Sequence, residues 1–253
     1  MPIDHSKNII EIKNLSFQYE DDLVLDKINL NIHQGDYLGV VGPNGGGKTT
    51  LLKLILNLLP LQTGEIKIFG QNIGQFNDWY KLGYVQQKAV NFDSKFPATV
   101  EEIVYMGRFG QKGLFGRIND EDRKIVHESL NHVGMWEFKD RLIGNLSAGQ
   151  QQRIFIARAL ASKPEILFLD EPTVGIDIEA QEQFYRLLHE LNSKLNLTLV
   201  LVSHDIDVVA SEASEFACIN KGLVYHGSPQ TFIKDDYLKQ LYGKDVKFIL
   251  HHH

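Results

Sequence analysis

The order of predicted elements points to an α/β fold with a mainly parallel sheet core, an antiparallel β flank and a helical insertion. Three observations predict it. Apolar runs of strand length alternate with helical patterns in both the early and the late parts of the chain, the arrangement that builds a parallel sheet. Residues Ile9 to Phe17 and Leu25 to Ile32 instead alternate apolar and polar positions on either side of Glu20-Asp21-Asp22, as antiparallel strands do. From about residue 95 to 163 the spacing turns helical throughout.

Each element follows from its local pattern. Tyr37 to Val41 is a nearly continuous apolar run, expected where both faces of a strand are covered. Leu51 to Leu59 has helical character and meets Pro60, which cannot continue a helix. Glu65 to Phe69 and Leu82 to Val85 read as further strands. Thr99 to Gly107 and Glu121 to Gly134 have helical spacing, with Asp120 as the expected N-cap of the second and the glycine-bearing loop Arg108 to Asn119 between them. Ala148 to Ser162 is a helix ended before Pro164, and Glu165 to Asp170 is a buried strand ending in acid. Asp177 to Leu195 aligns Phe184, Leu187, Leu188 and Leu191 on one face. A strand to Val202, a helix from Ile206 to Ala213, strands Glu215 to Asn220 and Leu223 to His226, and small helices Ser228 to Ile233 and Asp236 to Tyr242 complete the chain.

Composition narrows the classes of function. The 253 residues suffice for one or two domains with a real core, and the net charge of −6 argues against wholesale binding of a nucleic-acid backbone. Cys218 is the single cysteine, so no disulfide within the chain is possible. The first residues show no apolar signal segment, and no run approaches the length of a membrane span. His251-His252-His253 is set aside as a tag or an inert tail.

The chemistry centres on Gly42-Pro43-Asn44-Gly45-Gly46-Gly47-Lys48-Thr49-Thr50. It has the spacing of a phosphate-binding loop and stands between a strand and a helix, the context that the motif requires. Backbone N–H groups of such a loop converge on phosphate oxygens, and the helix N-terminus adds its positive end. Lys48 would reach the β- and γ-phosphates and Thr49 would ligate Mg²⁺. Ile166-Leu167-Phe168-Leu169-Asp170-Glu171 supplies the complementary acids: Asp170 suits Mg²⁺, and Glu171 suits a base acting on water. Leu146-Ser147-Ala148-Gly149-Gln150 opens a second helix with an anion-binding start.

Phosphate loop, Leu-Ser-Ala-Gly-Gln, Asp-Glu and a strand leading to His204 occur in the order that resembles the ATP-binding cassette (ABC) family, from about residue 8 to 235. The resemblance implies a P-loop NTPase core of RecA-like type. Residues 8–94 and 164–235 would form the nucleotide-binding core with its β flank, 95–163 a helical subdomain and 236–253 a C-terminal tail. It implies that Tyr19 stacks on adenine, that Gln87 contacts Mg²⁺ and water, that Asp177 bridges two subunits and that His204 bonds the γ-phosphate. Gln86 stands where many members have proline, and Ala148 replaces the usual first glycine of the signature. Ser147 and Gly149 are expected to work regardless, alanine being the smallest intrusion.

The family pairs two cassettes head to tail, so that Lys48 of one copy and Ser147 of the other enclose each ATP. A single cassette without a span suits the ATPase subunit of a bacterial importer: a homodimer on the cytoplasmic face of the membrane, beneath permease subunits fed by an extracellular metal-binding protein, with no nucleic acid involved. Lys88 to Thr99, with Phe92, Phe96 and Pro97, and the following helix from Val100 to Met106 are the expected docking notch, or else pack inside the helical block. Phe96-Pro97-Ala98-Thr99-Val100, Gln150 to Ala159 and Val224-Tyr225-His226-Gly227 are similar to the zinc and manganese importer branch, zinc first. The ten histidines do not argue for this, since no pair outside the terminal run has ligand spacing. The alternative of a different class is a soluble ABC ATPase of the iron–sulfur assembly type.

Overall fold

A computed structural model describes residues 4–86, 96–113 and 116–234. Gln87, Phe92 and the helix expected at Asp236 to Tyr242 lie outside the described residues. In chain order the strands are β1 (Asp4–Tyr19), β2 (Asp22–Gln34), β3 (Tyr37–Val41), β4 (Thr63–Ile68), β5 (Gln71–Asn72), β6 (Leu82–Val85), β7 (Ile166–Asp170), β8 (Thr198–Val202), β9 (Glu215–Asn220) and β10 (Gly222–Gly227). The helices are α1 (Lys48–Ile55), α2 (Val100–Tyr105), α3 (Phe109–Lys112), α4 (Asp120–His132), α5 (Ala148–Leu160), α6 (Ile178–Leu195), α7 (Ile206–Glu212) and α8 (Pro229–Lys234). The described residues fall into two compact units, one within Met1–Asn77 and Thr198–His253, the other within Asp78–Leu197.

In the first unit β2, β1, β4 and β5 form the antiparallel sheet that the alternating pattern predicts. Ile10, Ile12, Leu15, Leu25, Ile28 and Ile32 are its buried face. β3 lies between β8 and β9, parallel to both, and β10 closes the edge antiparallel to β9. Tyr37 to Val41 is buried at every position, which accounts for its unbroken apolar run. α7 lies directly on β3 at Gly39, where a Cβ would clash with the Val209 side chain.

α1 differs from expectation at both ends. It begins inside the phosphate loop at Lys48 and stops at Ile55, before the proline. Asn57 takes a left-handed conformation with φ 54°, and Leu58 N donates to Lys53 O at 2.8 Å. These bonds satisfy the terminal carbonyls without further helix.

In the second unit β6 pairs in parallel with β7, and the helices gather on α5. The N-cap of α4 is Asn119 rather than Asp120: its side chain accepts from Asp122 N while Asp122 Oδ2 accepts from Asn119 N, a reciprocal capping box. The stretch expected as a loop from Arg108 to Asn119 begins with the short helix α3. Arg108 is buried, donating from Nε to Asp122 Oδ1 at 2.9 Å and from its guanidinium to Ala161 O at 2.6 Å. Lys112 Nζ lies 3.1 Å from the other carboxylate oxygen. Gly107 sits against the Arg158 carbonyl with no room for a Cβ, so Arg108 can pin α4 to the end of α5. No helix among the described residues is long and apolar enough to cross a membrane.

Burial is the largest influence on the Asp122 carboxyl and opposes its ionisation. The Asn119 amide, Arg108 and Lys112 together outweigh it and lower the pKa from 3.8 to about 2. Stability from this carboxylate is therefore complete above pH 4 or so and is lost as pH falls towards 2. Asp122→Ala should cost about 3–5 kcal/mol at neutral pH by leaving Arg108 buried without its partner, and should flatten the acid limb of a denaturant-stability profile in that window. An unchanged profile would remove Asp122 from the account. Gly39→Ala should cost about 1–3 kcal/mol through overpacking against Val209, read as an earlier urea midpoint.

Candidate nucleotide-binding site

The phosphate loop owes its shape to neighbours far away in sequence. It leaves the buried strand β3 at Gly42, whose φ is 148°, and a Cβ there would collide with Ile219 O of β9. Gly46 is pressed against the same carbonyl, and Lys221 N donates to Gly46 O at 3.0 Å. Gly47 has φ 100°, and a Cβ on it would lie 2.5 Å from Leu25 Cδ2 and 2.8 Å from Val24 O of β2. A side chain at Gly42 or Gly47 is thus excluded twice, by backbone conformation and by space.

The loop fits a bound phosphate. Gly47 is the N-cap of α1 and brings no side-chain acceptor, so no capping side chain covers the amides of the first turn. Lys48 is buried and curls back over the loop, donating from Nζ to Gly42 O at 2.8 Å and to Pro43 O at 3.1 Å. An ammonium held there has a ready exchange of carbonyl partners for phosphate oxygens. Asn44 and Gly45 are exposed, Pro43 and Thr49 half-buried, and Thr50 buried in the first turn of α1. The parallel register Val40↔Val202 sets the end of β8 beside the end of β3. His204, two residues beyond β8, is therefore exposed on the loop's own edge, after Ser203 whose N donates to Val40 O. Tyr19 ends β1 in the hairpin whose second strand carries Val24 and Leu25. Its ring is exposed and meets Phe17 edge-on at 4.9 Å, which leaves a flat face for a base.

The second unit holds the other expected residues. All five residues of β7 are buried, and Asp170 at its end is 3% exposed. Tyr84 of β6 donates its hydroxyl to Asp170 Oδ2 at 3.4 Å. Burial, and then the Asp170 charge, push the Tyr84 pKa up to about 12, so the tyrosine remains a neutral donor that steadies the carboxylate. A fixed carboxylate oxygen is the donor type that Mg²⁺ takes. Glu171 follows in a left-handed conformation, φ 49°, and is buried. Such a backbone costs a bulky residue about 1–2 kcal/mol, and strain of this kind clusters at functional sites. Nothing in the one-letter pattern signalled it.

Ser147 caps α5: its Oγ accepts from Gln150 N at 3.3 Å, and Gln150 Oε1 accepts from Ser147 N at 3.0 Å. The serine is exposed, and its hydroxyl still has a proton to donate. Ala148 is an exposed first-turn residue of the helix, so the departure from glycine meets no positive φ. A Cβ added at Gly149 would lie 3.4 Å from the Ala180 side chain, and Asp177 caps α6 by accepting from Ala180 N at 2.9 Å. The structure thus brings Ser147, Gly149, Gln150 and Asp177 together around the starts of two helices. On α2, Val100, Ile103 and Val104 are buried. Phe96 and Met106 remain partly exposed.

The chain is similar to known proteins over most of its length. The family described as ABC transporter matches residues 25–174. The zinc uptake system ATP-binding protein ZurA of Listeria monocytogenes is 46% identical over 226 residues, covering 89% of this chain and 88% of its own length. The manganese transport system ATP-binding protein MntB of Halalkalibacterium halodurans is 38% identical, covering 93% of this chain and 91% of its own. Among solved structures, the ATP-binding cassette MJ0796, a dimer in a post-hydrolysis state with ADP and phosphate, superposes with a TM-score of 0.73 at 28% identity, covering 87% of this chain and 98% of that one. cbiO1 of Clostridium perfringens, part of the ABC transporter complex cbiONQ, gives a TM-score of 0.80 at 27% identity, covering 92% of this chain and 94% of that one. With its phosphate loop, its buried acidic strand end and its serine-capped helix, the chain belongs to the ABC transporter family, as one of its ATP-hydrolysing cassettes.

Proposed function

We propose that the chain is the ATPase subunit of a bacterial zinc importer, working as a homodimer on the cytoplasmic face of the membrane beneath permease subunits that an extracellular metal-binding protein supplies. The observation that carries this reading is the 46% identity, over nearly the full length of both chains, to a zinc uptake ATP-binding protein. The manganese transport relative supports manganese as the second reading. Phe96, Met106, Phe109 and Leu142, all partly exposed and apolar, suit a short helix of the permease.

In this reading ATP lies with its adenine on Tyr19 and its phosphates in the loop from Gly42 to Thr50. Lys48 and the loop amides neutralise the β- and γ-phosphates. Thr49, Asp170 and Gln87 would hold Mg²⁺, whose charge would offset that of the phosphates. Glu171 takes a proton from the attacking water, and His204 bonds the γ-phosphate and holds it in line. The held backbone of Glu171 supports this role, since a base must stay aimed at one water. Ser147, Gly149 and Gln150 of the second copy cover the γ-phosphate from above, and Asp177 lies across the subunit boundary. The exposed cap at Ser147 and the dimeric ADP-bound relative support that pairing. Closure by ATP and reopening after hydrolysis then drive the permease.

Glu171→Gln should keep ATP binding, lower phosphate release about 10²–10⁴-fold and accumulate a dimer on size-exclusion chromatography with ATP; undiminished release would exclude Glu171 as the base. Loss of the gene should stop growth in zinc-chelated medium, with recovery on added zinc. Recovery with manganese alone would transfer the assignment to that metal, and co-purification with soluble proteins only would end the transporter reading.

A further inference from the structure

At the other end of β3 and β9 from the phosphate loop, the fold assembles a second group of donors. His33 ends β2, Asp36 stands in the turn before β3 and Glu215 begins β9, with Leu38 and Glu215 in register. One donor atom from each of the three lies within 4.8 Å of the others. His33 Nδ1 is 3.2 Å from Asp36 Oδ2. Behind them His226 of β10 brings Nε2 to 3.2 Å from Glu215 Oε2. Asp36 is fully buried, while His33 and Glu215 are partly exposed, at 14% and 15% of their side chains.

We propose that His33, Asp36 and Glu215 bind a zinc-type divalent ion, with His226 orienting the Glu215 carboxylate. At Zn–N and Zn–O distances of about 2.1 Å, two ligands of a tetrahedral ion stand about 3.4 Å apart, close to the His33–Asp36 separation. A set of one imidazole and two carboxylates favours zinc over magnesium, which prefers oxygen alone. Three protein ligands leave a fourth position for water. Two carboxylates, Asp36 and Glu215, meet in this corner, and a dication would offset their mutual repulsion. The hydrogen bond that His226 Nε2 donates to Glu215 Oε2 is the outer support that metal-bound carboxylates usually have. The donors come from β2, the turn before β3, β9 and β10, so the ion would tie together the strands that carry the phosphate loop at their far ends. The site is independent of which metal the transporter moves.

The test uses the full chain, stripped with chelator and without nucleotide, compared with a variant carrying His251→Ala, His252→Ala and His253→Ala to remove binding by the tail. The tail variant should retain one equivalent of zinc after dialysis, and its melting temperature should rise with zinc. His33→Ala and Glu215→Gln in that background should lose the equivalent, and His226→Ala should weaken affinity about 10–100-fold. Cobalt added to the tail variant should give the strong visible absorption of a four-coordinate site, saturating at one equivalent; this decides the matter even where His33→Ala fails to fold. Zinc content unchanged by His33→Ala and Glu215→Gln, or no cobalt spectrum in the tail variant, overturns the site.

Discussion

The geometry of the nucleotide site rests on a contact between two backbones. The phosphate loop passes so close to the Ile219 carbonyl that neither Gly42 nor Gly46 could carry a Cβ. The loop is therefore moulded on β9, a strand more than a hundred residues later, and braced from the other side by Val24 and Leu25 of the antiparallel sheet. Close-packed backbone has no soft direction in which to yield. The loop backbone is consequently held in one shape, and the cost of ordering it is met on folding rather than on binding.

The second unit solves a related problem with buried charge and local strain. Its acids must be carboxylates at a fixed place, yet an apolar strand is a poor setting for charge. β7 resolves this by ending on Asp170, where the neutral Tyr84 hydroxyl steadies the carboxylate, and by turning Glu171 into a left-handed conformation immediately after. The Arg108–Asp122–Lys112 group does comparable work among the helices. It joins the start of α4 to the end of α5 through a carboxylate that stays ionised far into acid. α5 is the helix that Ser147 begins, so the group anchors the other end of the same helix.

The candidate phosphate loop lies at one end of β3 and β9 and the proposed metal ligands at the other. Parallel neighbours in register bring like ends together, so a carboxyl edge rich in backbone amides implies an amino edge where turns and strand starts meet. Asp36 and Glu215 meet there because of that register, with His33 supplied by the end of β2, from the other sheet, and His226 by β10, the antiparallel neighbour of β9.

The amino-acid sequence by itself determined the class of fold, the family and most of the candidate site residues. Glycine spacing, a strand-terminal Asp-Glu and a serine helix start are short-range patterns dictated by local backbone chemistry, and they can be read without a partner in space. Pattern alone also misplaced details: the N-cap of α4, the end of α1, and Arg108, read as a loop residue but buried as an ion-pair anchor. These depend on hydrogen bonds that compete with propensity. What only the tertiary structure decided is everything set by register between distant strands. That includes the Ile219 carbonyl against the phosphate loop, His204 on the same edge, and the corner of His33, Asp36 and Glu215. Sequence separation carries no information about such meetings, because hydrogen-bonded pairing of whole strands, not the residues that meet, brings them into contact.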